Sequence, residues 1–122
     1  MLFYCKIPGR ARTKKNSKEI IRAKGRHIPV SSKTFLEWEK TAMLVVANEK
    51  SKISTPTIKE YCTAIYTFNF KNRQGEMDTS NGIEGIADVL EKTGIVKNDK
   101  LIKNFYAEKN FGVEDSVEVA RS

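Results

Sequence analysis

The sequence predicts an α+β fold, a mixed β-sheet packed against two helices in a single domain covering residues 1–122. Three observations lead there. A chain of 122 residues is one domain's worth and leaves no room for a second. Two stretches, residues 33–50 and 79–93, carry apolar side chains at helical spacing. The remaining apolar runs are short, rich in aromatic and β-branched residues, and surround the helices instead of alternating regularly with them. A composition of 39% hydrophobic and 30% charged residues excludes a disordered or fibrous chain.

Leu2–Ile7 reads as a first strand, stopped by Pro8-Gly9. Residues 10–27 show no sustained period, with Lys24-Gly25-Arg26 shaped for a hairpin tip or loop, and Ile28-Pro29-Val30 fits a short edge segment. Ser31 or Ser32 caps the first helix, whose Phe35, Trp38, Ala42, Val45 and Val46 form one stripe, so Trp38 is expected in the core. Tyr61–Phe70 is the clearest strand and long enough to be central. The second helix ends at Gly94 in the C′ position. Two last strands follow, Leu101–Lys109 and Val113–Ala120, joined across Asn110-Phe111-Gly112.

Charge is distributed unevenly. Residues 1–33 hold ten Lys and Arg against the single Glu19, a net of +9, which leaves twelve basic and fourteen acidic residues elsewhere, a net of −2. A basic quarter on a mildly acidic remainder points to a polyanionic partner, nucleic acid above all; a solvated arm is the plainer alternative. Cys5 and Cys62 sit in strand-like segments without His or Cys at ligand spacing and read as buried thiols, and a lone His27 with no CxxC argues against zinc. No apolar run approaches the ~18 residues of a membrane span, and the N-terminus lacks a secretory apolar segment, so no membrane partner and a cytoplasmic location are expected.

The second helix carries the chemistry. Asn81, Glu84 and Asp88 share one of its faces, Asp78 stands beside them near the first turn, Asp99 follows eleven residues after Asp88, and Ile83, Ile86, Ala87 and Leu90 point the other way. That is also how an ordinary solvated helix looks, and acids near an N-terminus suit the helix dipole. Clustered carboxylates nevertheless repel, and a hard divalent cation relieves the repulsion; Mg²⁺ fits best and serves phosphodiester hydrolysis. Asp78, Glu84, Asp88 and Asp99 are therefore the candidate catalytic and metal-binding residues.

The stretch from Met77 to Asp99, with Asp78-Thr79-Ser80-Asn81 leading into the helix, Asp88-Val89-Leu90 near its end, then Gly94 and Asn98-Asp99, resembles the signature of the RusA family of Holliday-junction resolvases. The N-terminal half is similar as well, in Pro8, Lys14-Lys15-Asn16-Ser17, Gly25-Arg26, and Pro29-Val30-Ser31-Ser32-Lys33 entering a helix that bears Trp38, so the likeness covers about residues 5–110. It implies an α+β homodimer that binds branched DNA, a four-way junction, on a basic surface and cuts paired strands with Mg²⁺. By position, Asp78 matches the first metal-binding Asp of the motif, Asp99 the last, Asn81 its Asn and Asp88 the helix Asp. Ser80 stands where the motif has a second Asp, and Glu84 where it has a Lys thought to assist catalysis; Glu84 then offers a replacement carboxylate. The expected DNA contacts are Lys14, Lys15, Asn16, Arg22, Lys24, Arg26 and Lys33. The reading from another class is a non-catalytic, structure-selective DNA-binding protein that retains the fold; a third, resting on charge alone, is a small RNA-binding protein.

Overall fold

A computed structural model describes residues 3–12, 18–23, 26–31, 33–53, 57–73 and 77–122. It shows a small α+β domain with strands β1 (Phe3–Pro8), β2 (Lys18–Ala23) and β3 (Arg26–Ser31), helix α1 (Lys33–Ile53), strand β4 (Cys62–Phe70), helix α2 (Thr79–Lys92), and strands β5 (Ile102–Phe111) and β6 (Ser116–Arg121). One sheet has the order β1-β6-β4-β5, and β2 pairs with β3 as a separate two-stranded ribbon. β4 runs parallel to β5 and antiparallel to β6, which makes the sheet mixed.

Sequence periods explain the layering. β1 and β4 alternate buried and exposed side chains, so one face of the sheet takes Phe3, Cys5, Ile7, Tyr66, Phe68, Val117 and Val119 into the core. Phe35, Trp38, Ala42 and Val46 of α1 join Ile86, Val89 and Leu90 of α2 in that core. Trp38 is buried as its position in the stripe predicts, with its indole Nε1 lacking a hydrogen-bond partner among the described residues. Cys5 and Cys62 are free buried thiols, and burial pushes the Cys5 thiol up to about 12. No helix among the described residues is long and apolar enough to cross a membrane.

The structure corrects the sequence reading in two places. Residues 18–23 form a strand, registered antiparallel to β3 from Lys18 opposite Ser31 to Ala23 opposite Arg26; the expected tip at Lys24-Gly25 lies outside the described residues. The run Lys-Glu-Ile-Ile-Arg-Ala hides this strand because its two isoleucines are adjacent and break the alternation. Second, β4, α2 and β5 form a βαβ unit with its two strands adjacent and parallel, and the last strand β6 inserts between β4 and β1 instead of pairing with β5.

Candidate functional site

Helix α2 organises the candidate site. Asp78 is its N-cap: the carboxylate accepts hydrogen bonds from the Ser80 backbone N–H at 3.1 Å and the Ser80 hydroxyl at 2.9 Å. Ser80 thus fixes the Asp78 carboxylate in place. The helix buries Gly82, Gly85, Ile86, Val89 and Leu90, and exposes Glu84 and Glu91 with Asp88 half-buried between them; Asn81 is also half-buried. At the far end Gly94, with φ +78°, turns the chain back. The Asp99 backbone N–H then donates to the Glu91 carboxylate at 2.8 Å.

This arrangement divides the predicted residues. Glu84, Asp88 and Glu91 follow one another at i, i+4 and i+7 along a single ridge, and Asp99 is tied to the end of that ridge through Glu91. Asp78 caps the N-terminal end of the 14-residue helix, about 21 Å long, whereas Asp99 is bonded to Glu91 near its C-terminal end. Asp88 is engaged by Lys92 at 3.3 Å, and Lys92 also reaches Glu39 of α1 at 3.0 Å. Those bonds, Glu39 first, raise the Lys92 pKa and keep it charged. Glu91 was missed by sequence reasoning, although its spacing from Glu84 and Asp88 was a sufficient signal. Among the described residues no three His, Cys, Asp or Glu side chains form a ready-made cation cage.

Part of the basic segment lies against the same helix. A Cβ added at Gly85 would lie 3.4 Å from the Arg12 carbonyl oxygen, so the backbone at Arg12 passes against α2 where the side chain is smallest. Gly85 therefore makes room for a backbone of its own chain, and Gly82 lies against the side chains of Met77 and Phe68; a second molecule is not needed to explain either glycine. Burial lowers the Arg12 pKa, helped by the neighbouring Arg10 charge and opposed by Asp115. Of the expected DNA contacts, Lys14, Lys15, Asn16 and Lys24 lie outside the described residues, and Arg22 and Arg26 are placed by backbone alone in β2 and β3. Lys33 is exposed at the start of α1, 3.9 Å from Glu37.

No protein-family model matches this chain, nor does any curated protein at a significant level.

Proposed function

We propose that this protein is a Mg²⁺-dependent endodeoxyribonuclease acting on branched DNA such as a four-way junction, working as a homodimer. The observation that supports the reading is the passage of the Arg12 backbone against α2 at Gly85, which brings part of the +9 segment beside the helix that bears the carboxylate ridge. On this reading, phosphate-gripping and metal-holding functions belong to neighbouring parts of one domain, in keeping with the RusA-like motif. The lack of a three-carboxylate cage is compatible with Mg²⁺, which keeps several waters and takes one or two carboxylates together with substrate phosphates. Glu84 and Asp88, neighbours on one face, are the pair best placed to hold it, and Asp78 and Asp99 flank them from the two helix ends. When bound, the cation would polarise a phosphate and lower the pKa of a water. The chain's own part is to grip phosphates through Arg12 and the arm beyond it, and to keep the ridge aimed outward by burying Ile86, Val89 and Leu90. Two sites related by a two-fold axis suit the two cuts of a symmetric junction.

One observation favours a second reading, a structure-selective DNA-binding protein without cleavage: Asp88 is already neutralised by Lys92, and Asp78 is committed to capping. Incubation of the purified protein with a labelled synthetic four-way junction, with and without Mg²⁺, separates the two. Strand cleavage only with Mg²⁺ supports the nuclease; tight junction binding with intact strands under both conditions supports the second reading. Competition with duplex DNA and with RNA then reports which nucleic acid is preferred.

A further inference from the structure

At the end of the sheet where β4 and β5 begin, the chain builds a feature that the proposed cleavage does not use. Ile58 bridges to Val96: its N–H donates to the Ile95 carbonyl at 3.0 Å, and the Lys97 N–H donates to the Ile58 carbonyl at 2.9 Å. These bonds hold residues 57–59 open alongside 95–97. A groove of about 440 Å³ results, lined by Thr57, Ile58, Lys59, Glu60, Tyr61 and Ser122. Tyr61 is 71% exposed, with a ring that contributes little to the core.

The register of the sheet directs a cation onto that ring. Cys62 pairs with Ile102 and Thr63 with Asn104, so Lys103 is an extra residue on β5, a bulge in a parallel pair. Bulges are uncommon in parallel pairs and re-aim a side chain where they occur. Here the bulge brings Lys103 Nζ to 5.7 Å from the centre of the Tyr61 ring. Lys59 lines the groove with Glu60, and Lys97 and Lys100 are exposed on the segment that follows Val96.

We propose that this groove is a subsite for single-stranded DNA, in which an unpaired base stacks on Tyr61 and its backbone phosphates are held by Lys103 and Lys59. The Lys103 ammonium lies over one face of the exposed Tyr61 ring, so a base takes the other face while the ammonium meets a neighbouring phosphate, which matches what a single strand presents, a free π-face every few ångströms beside a phosphate. Paired bases already stack on one another and have no use for the ring. The inference rests on the DNA-binding part of the proposed function and not on cleavage.

The test is fluorescence anisotropy of the full-length protein with a labelled oligothymidylate of about 15 nucleotides, within the usual span of such sites, and with a duplex of the same length. Tyr61→Ala should weaken single-strand binding by about tenfold and leave duplex binding unchanged, as expected for one lost stack. Tyr61→Phe, which keeps the ring, should bind like the parent. Lys103→Ala should weaken binding and flatten the dependence of log K on log salt by about 0.7. Tyr61→Ala binding the single strand as tightly as the parent overturns the proposal, and so does Tyr61→Phe losing as much as Tyr61→Ala. A parent protein that binds neither single strand nor duplex overturns this proposal together with the DNA reading, whereas failure of Mg²⁺-dependent cleavage alone leaves it standing.

Discussion

At the scale of single residues, Asp78 combines a structural and a chemical assignment that can be pulled apart. Asn caps a helix about as well as Asp, while Ala loses the bonds from Ser80. Asp78→Asn should therefore leave stability within a few tenths of a kcal/mol and Asp78→Ala should cost about 1 kcal/mol by denaturant unfolding. Both should abolish junction cleavage; cleavage by Asp78→Asn at the parental rate would reduce Asp78 to a cap. Tyr4 and Glu118, on the open face of the sheet, make a second residue-scale case. The Tyr4 hydroxyl donates to the Glu118 carboxylate at 2.6 Å, which pushes the Tyr4 pKa up to about 12, and bonds from Tyr4 and then Asn69 hold the Glu118 pKa below its ordinary value. A lowered carboxylate stabilises above its unfolded pKa and loses that contribution as pH falls through the folded value; a raised phenol stabilises below about 10 and loses it as pH rises through about 12. The stability gap between the parent and Tyr4→Phe should thus be widest between about pH 6 and 9. Its size should be about 1 kcal/mol or less, because both groups are partly solvated. Unfolding curves that separate only at acid or alkaline extremes would contradict the assignment.

At the scale of elements, α2 is held between the sheet and the chain at 10–12. Gly85→Ala should be tolerated, since an added Cβ at 3.4 Å from the Arg12 carbonyl is near ordinary contact and alanine gains about 1 kcal/mol of helix propensity over glycine. Gly85→Leu should instead lift residues 10–12 from the helix and weaken DNA binding several-fold while α2 still forms by circular dichroism. Equal affinity in Gly85→Leu would show that the arm does not depend on its seat. The helices and β4 were legible in the sequence because their periods are strong: Phe35, Trp38, Ala42 and Val46 keep helical spacing, and Tyr61–Phe70 is dense in β-formers. β2 was not legible, since Ile20 and Ile21 are adjacent and its partner β3 contains Pro29. The insertion of β6 between β1 and β4 was likewise beyond local pattern, because strand order is settled by contacts distant in sequence. For the site, the face shared by Asn81, Glu84 and Asp88 followed from spacing. The tie between Glu91 and Asp99 depended on how the chain turns at Gly94, and the bond from Lys92 to Glu39 depended on where α1 lies, whereas the pair of Asp88 and Lys92 is an i,i+4 spacing within α2.

At the scale of the whole molecule, the proposed function makes the asymmetry between a +9 segment and a −2 remainder the feature that should govern DNA binding. The segment is poor in groups that recognise base edges, so its contacts should be with phosphates and its selectivity should come from shape. Neutralising Lys14, Lys15, Arg22 and Arg26 together should weaken junction and duplex binding alike and flatten the slope of log K against log salt by up to about 0.9 per lost contact. An unchanged slope would move the DNA surface elsewhere. Sedimentation should show a dimer at micromolar concentration, and a fully active monomer would exclude paired cutting by two linked sites. The central claim is that the ridge on α2 carries metal-dependent chemistry, and a time course of strand cleavage on a labelled four-way junction in Mg²⁺ tests it most directly, with the parent run beside a Glu84→Gln, Asp88→Asn double variant. The expected result is cleavage by the parent and none by the double variant, which still binds the junction; parental cleavage rates in the double variant would contradict the account.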